Sequence, residues 1–207
     1  MSPAKTPPRP ELAALAIADS PERWSALGFE VTDGRVRLGA VELSLGAQGR
    51  GITGWTLRNV DAALADGGVD GLVTAATSAP PVDGLVHPNG AIGVDHVVVT
   101  TPHFDATAAA LQRAGMPFRR IRDSGGGVRQ GFRRLGPVIL EVVDAPGTPA
   151  TAFWGLVVVV NDLDGLRRQL DPHLSAIRDA VQPGRHIATL DRGAGLSTRL
   201  AFMDPES

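Results

Sequence analysis

The feature that most constrains this chain is a repeat. The stretch VDHVVVTTPHFDATAAALQRAG at 94–115 and the stretch FWGLVVVVNDLDGLRRQL at 153–170 share one order: a β-branched run, a short helical pattern with an early aspartate, then further strands. β-Branched side chains suit the pleated, half-buried surface of a strand, so VVV and VVVV are read as strands. The segments that follow carry apolar residues at 104, 108 and 111 and at 163, 166 and 170, the three-to-four spacing of a helix buried on one side. Asp105 and Asp164 stand in the first turns, where a carboxylate caps the helix or complements its dipole. Gly115 stops the first of these helices.

Fainter copies lie upstream. LAALAIADSPERWSALGFEV at 12–31 predicts a strand, Ser20 as N-cap, Pro21 at the first helical position and Gly28 near the stop. GITGWTLRNVDAALADGG at 51–68 predicts a strand and a shorter helix. The strand pairs RVRLGAVELSLG at 35–46 and FRRLGPVILEVVD at 132–144 align on Arg-Leu-Gly, and RLAFMD at 199–204 closes the last unit. The second unit is truncated, because Pro/Gly-rich text occupies residues 74–93, where two or three strands would be expected. The expected organisation is a flexible tail at 1–10, a degenerate N-terminal half at 11–73, a linker at 74–91 and a paired-module domain at 92–207.

Composition narrows what such modules can do. The formal charge of −2 supplies no long-range field for nucleic acid or acidic membranes, and the basic doublets Arg119-Arg120, Arg133-Arg134 and Arg167-Arg168 read as solvated faces. No apolar run reaches the roughly 18 residues of a membrane helix and no apolar signal core opens the chain, so a cytoplasmic protein is expected. The absence of cysteine removes thiolate nucleophiles and Cys-type metal sites, which leaves His, Asp, Glu and water as metal donors. DSGGGVRQG matches neither a P-loop nor a complete GxGxxG, and no HExxH or GxSxG occurs.

The tandem βαβββ pattern, with an opening strand GVDHVVV and a closing strand ILEVV, resembles the vicinal oxygen chelate superfamily, which includes glyoxalase I, bleomycin-resistance proteins and extradiol dioxygenases. HPNGAIGVDHVVV and VQPGRHIATL are similar to actinobacterial glyoxalase-like proteins. The resemblance implies an α+β fold in which paired modules form a cupped mixed sheet holding a small molecule. It also implies metal ligands on the first and last strand of each module, at positions that match His96 and Glu141 here. Imidazole and carboxylate suit one divalent Zn, Mn, Fe, Ni or Co ion. Aligning Asp105 with Asp164 and Asp144 with Asp204 puts Gly155 and Ala201 at the matching positions of the fourth unit, and neither can bind metal through a side chain.

Three readings of the His96 and Glu141 pair stay open: a depleted metal site, a metal-free acid–base pair, and a structural hydrogen bond tying two strands. The first two serve a small-molecule enzyme, a metal-dependent lyase, isomerase or dioxygenase or one acting by proton transfer beside a carbonyl; the alternatives are a metal-free binding protein of the bleomycin-resistance kind and an inactive copy. Arg199 shares the inward parity of Ala201 and is a candidate to hold a substrate carboxylate; the alternative is an exposed strand-end arginine. Gln130 and Phe132 alternate onto one face, as pocket-lining residues or as a cross-strand core pair. His186 is the one further histidine placed on a strand of the paired unit. His87 is expected in a surface turn, His103 and His173 in structural or exposed positions, and Trp55 and Trp154 in the core. A small-molecule ligand is the expected partner, and uncovered sheet edges would also permit a homodimer.

Overall fold

The computed structural model describes residues 9–206, so only Arg9 and Pro10 of the expected tail are described. The first unit comprises β1 (Glu11–Ile17), α1 (Pro21–Ala26), β2 (Arg35–Leu38) and β3 (Val41–Leu45). The second comprises β4 (Ile52–Arg58), α2 (Leu64–Gly67) and β5 (Thr74–Thr77). The third comprises β6 (Ala91–Thr101), α3 (Phe104–Arg113), β7 (Arg120–Asp123), β8 (Arg129–Leu135) and β9 (Val138–Asp144). The fourth comprises β10 (Ala152–Val160), α4 (Leu163–Gln169), β11 (Arg178–Asp179), β12 (His186–Thr189) and β13 (Arg199–Met203).

The sequence repeat becomes a repeat of topology. In each unit the opening strand returns through a helix to a closing strand parallel to it: β1 beside β3, β4 beside β5, β6 beside β9 and β10 beside β13. Opening strands then pair antiparallel, β1 with β4 and β6 with β10, at the middle of a five-stranded and an eight-stranded sheet. The fold is thus α+β, with tandem modules in mixed sheets. Helices take one face of the larger sheet through Phe104, Leu111, Leu163, Leu166 and Leu170, and its other face forms the cup. Ser20 precedes α1 as expected, whereas Asp162, one residue before α4, caps that helix by accepting from Gly165 N–H at 2.8 Å; Asp164 lies in its first turn.

Three sequence expectations need correction. Residues 74–77, expected as linker, form β5, and buried Trp55 donates its indole N–H to Thr74 Oγ1 across that pairing at 2.7 Å. His87 does precede a turn, yet its ring is buried rather than at the surface. Its Nδ1 accepts from Glu30 N–H at 2.9 Å, which leaves Nε2–H to donate to Arg37 O at 3.0 Å. Trp154 is 47% exposed on the cup side of β10, for a reason given below.

One continuous apolar core joins both sheets, with Phe29 from the first unit stacked on Phe202 from the last at 6.2 Å. Polar ties reinforce it. Asp19, buried after β1, accepts from the N–H groups of Ser197 and Thr198 at 2.6 and 2.9 Å. Burial pushes its carboxyl up, and the hydrogen bonds from Thr198 and Ser197 more than reverse that, holding it below the usual range. Asp70 accepts from the hydroxyls of Thr107 and Thr151, fixing the second unit to the third and fourth.

Candidate functional site

The floor of the cup is set where β6 and β9 run side by side, with Val98 opposite Glu141 and His96 opposite Ile139. Alternation turns His96, Val98 and Thr100 on one strand, and Ile139, Glu141 and Val143 on the other, toward the same cavity. His96 Nε2 lies 3.8 Å from Glu141 Oε2, with the two side chains 13% and 16% exposed. This spacing is too long for a hydrogen bond and short enough for electrostatic coupling.

Each partner is oriented from behind. Gln130 Nε2 donates to Glu141 Oε1 at 2.8 Å, while Gln130 Oε1 accepts from Arg122 at 3.2 and 2.6 Å, which fixes the amide and leaves Glu141 Oε2 to face His96. Burial raises the Glu141 carboxyl above its ordinary value, against the opposing pull of His96 and Arg122. On the other side His96 Nδ1 meets Asp95 Oδ2 at 2.7 Å. Burial would raise the Asp95 carboxyl, but hydrogen bonds from His96 and Arg185 outweigh it and keep the group below the usual carboxylate range. Ionised Asp95 can only accept, so His96 Nδ1 carries a proton and donates it to Asp95, and Nε2 is turned toward Glu141 and the cavity.

Asp95 and His96 are neighbours in a strand and would ordinarily point to opposite faces. The register explains their meeting: His96 pairs with Val157 and Val94 with Val158, so Asp95 is an extra residue, a β-bulge that turns its carboxylate onto the His96 ring. Buried Arg185 clasps the bulge, donating from Nη1 to Asp95 Oδ1 at 2.5 Å and from Nε to Asp204 O at 2.8 Å. A second bulge at Trp154, between the Phe153 and Gly155 pairings, puts that indole into the cup beneath the Arg199 guanidinium, 4.9 Å from the ring centroid.

The cavity has two lobes, of about 1040 and 650 Å³, and His96 and Glu141 line both. Gln130 and Phe132 line the larger lobe, while Arg199 and Trp154 line the smaller. All five residues selected from the sequence therefore border one two-lobed cup. His186 does not: it is half-exposed on β12, between β11 and β13, with Nδ1 2.7 Å from Asp204 Oδ2. His103 and His173 also stay outside the lining. Sequence reasoning missed Asp95 and Arg185. Asp95 stood next to His96 in the text, but strict alternation assigned it to the wrong face.

The donor set does not fit a resident metal. Parallel register makes the Gly155–Arg199 pair the counterpart of His96–Ile139, and Val157–Ala201 that of Val98–Glu141, so the fourth unit contributes no donor. A Cβ at Gly155 would lie 2.8 Å from Arg199 O, leaving no room for a side chain there without backbone movement. No group of three or more His, Asp or Glu that could hold a metal occurs among the described residues.

No family model and no curated protein matches the sequence. Among solved structures, methylmalonyl-CoA epimerase from Mycobacterium tuberculosis aligns at 14% identity over 57% of this chain and 91% of its own, with a TM-score of 0.47. A xylose isomerase-like TIM barrel/4-hydroxyphenylpyruvate dioxygenase fusion protein aligns at 10% identity over 100% of this chain and 51% of its own, with a TM-score of 0.63. The second likeness extends over both sheets, so the shortened front half belongs to the same arrangement as the cup. The chain has the glyoxalase-like fold of tandem βαβββ modules in mixed sheets.

Proposed function

We propose that the chain is a glyoxalase-like enzyme that moves a proton at a carbon beside a carbonyl of a small molecule held in the cup, using Glu141 and His96. The observation that carries this reading is the asymmetry of the pair. Burial raises the Glu141 carboxyl above its ordinary value, and Asp95, by accepting from His96 Nδ1, turns His96 Nε2 toward Glu141 at 3.8 Å. Glu141 Oε2 removes the proton from carbon, His96 Nε2 stabilises or relays it, and Gln130 keeps the second carboxyl oxygen hydrogen-bonded throughout. Arg199 above Trp154 supplies a cation on a flat apolar platform, suited to a carboxylate or to the developing oxyanion. No step passes through a metal, because the fourth unit lacks donors.

The test is solvent exchange. A panel of 2-oxo acids, 2-hydroxy ketones and thioesters is incubated with the protein in deuterium oxide, and carbon-bound deuterium is read by mass spectrometry. Exchange with at least one member is expected, abolished in Glu141→Gln and strongly slowed in His96→Ala.

A second reading is sequestration of a ligand without chemistry, favoured by the size of the larger lobe and by the Arg199–Trp154 stack. Ligands that raise the melting temperature without exchange, equally in wild type and Glu141→Gln, would support it over catalysis.

A further inference from the structure

The arginine doublets that the sequence scatters are gathered by the β7–β8 hairpin. Arg120 pairs across strands with Phe132 and Arg122 with Gln130, so both guanidinium groups stand on the cup face beside residues of the floor. Arg134, opposite Ile139, projects from the same face, and Arg178 enters from β11 opposite Ile187. With Arg9, Arg119 and Arg133, seven arginines line the larger lobe, against the carboxyl groups of Glu141 and Asp179 alone. Among the described residues the only salt bridge to any of the seven is a long, exposed one, Arg134 to Glu206 at 3.9 Å. Arg119, Arg120 and Arg134 are exposed, as the solvated-face expectation has it, and Arg133 is buried; a chain of net charge −2 nevertheless gathers a third of its 20 cations at one cavity.

Arg133 adds positive charge from the other face of β8, where it stands across from buried Leu140. It is 6% exposed, its Nε has no hydrogen-bond partner, and its guanidinium reaches only the Pro117 carbonyl at 3.4 Å. Burial, then repulsion from Arg119 and Arg9, pulls its pKa down.

We infer that the larger lobe binds a multiply charged oxyanion, a phosphate-bearing or polycarboxylate portion of a small molecule, with Arg120, Arg122, Arg134 and Arg178 as its contacts. The inference rests on the proposed reading of the cup, and gives its substrate class: an anionic tail in the larger lobe and a reactive carbon over His96 and Glu141. The lobe is a concavity walled by Phe132, Ile139 and Met203, which suits one compact anion with an apolar neighbour rather than an extended nucleic-acid backbone.

Isothermal titration with inorganic diphosphate and with citrate tests this on the full chain. Diphosphate is expected to bind, with affinity falling about tenfold for each of Arg120→Gln and Arg134→Gln and unchanged in the α4 control Arg167→Gln/Arg168→Gln. Citrate binding more tightly than diphosphate would assign a polycarboxylate tail; the reverse would assign a phosphate. Equal affinity in all variants, no heat with either anion, or tighter binding of a single-stranded oligonucleotide than of diphosphate would overturn the inference. Anion binding with no deuterium exchange on any substrate would leave this site standing and sink the proton-transfer reading; exchange without anion affinity would do the opposite.

Discussion

Replacing Arg185 with methionine keeps a flexible apolar stem and deletes the guanidinium clasp on the Asp95 bulge. Arg185 is 4% exposed, and its partners are the Asp95 carboxylate and the Asp204 carbonyl. Removing one member of a buried ion pair costs about 3–5 kcal/mol; because Asp95 keeps its His96 contact, the lower end applies. At about 2–4 °C per kcal/mol for a protein of this size, the melting temperature should fall by roughly 6–12 °C. The pH dependence has a definite sign. The folded Asp95 carboxyl lies below its usual value, so its contribution is present above the unfolded pKa and is lost as pH falls through the folded one. The difference between wild type and Arg185→Met should therefore be largest near neutrality and shrink in acid. Urea denaturation of wild type, Arg185→Met, Asp95→Asn and the double variant measures both the loss and the coupling. A loss under about 0.5 kcal/mol at pH 7, within the range of an ordinary surface substitution, or additive single effects, would refute a buried clasp.

Three other outcomes follow from the site. Gly155→Ala should lower stability by about 1–3 kcal/mol through overpacking, since its Cβ would sit 2.8 Å from Arg199 O and 3.0 Å from Arg199 Cβ; an unchanged urea midpoint would show that β10 and β13 separate easily. Glu141→Gln should gain stability relative to wild type as pH climbs through the carboxyl range: a group whose folded pKa is raised loses its contribution as pH rises through that value. A pH-independent difference, read by thermal melts from acid to neutral pH, would contradict the raised carboxyl. Elemental analysis of protein expressed with ample Zn, Mn, Fe, Ni and Co should find well below one equivalent per chain; near-stoichiometric metal, lost in His96→Ala and Glu141→Ala, would overturn the donor argument.

The fold was legible because periodicity survives in a sequence. The VVV and VVVV runs, the apolar spacing at 104, 108 and 111, and the shared Arg-Leu-Gly turns marked the modules, and the structure pairs their strands in matching registers. Positions at regular strand parity were legible too, which is why His96, Glu141, Gln130, Phe132 and Arg199 all border the cup. What escaped was everything that depends on a broken period or on a distant contact. Bulges at Asp95 and Trp154 shift one residue each, and no local residue type announces them. His87 sits in turn-forming text but finds its partners at Glu30 and Arg37, 57 and 50 residues away. The arginine doublets are 14 residues apart in sequence, and only the β7–β8 pairing shows that they serve one cavity.

The Asp19 tie also has a consequence for synthesis on the ribosome. Asp19 belongs to the first module made, yet the N–H groups that complete its shell belong to Ser197 and Thr198, just ahead of the final described strand. Until those residues emerge, the carboxylate has only water to satisfy it, and Phe29 lacks the Phe202 ring that covers it. The N-terminal sheet is thus an early scaffold held unfinished by its own chemistry. The partners of Asp19 and Phe29 and the smaller lobe's wall at Arg199 and Ala201 come from one late-made segment of the described chain.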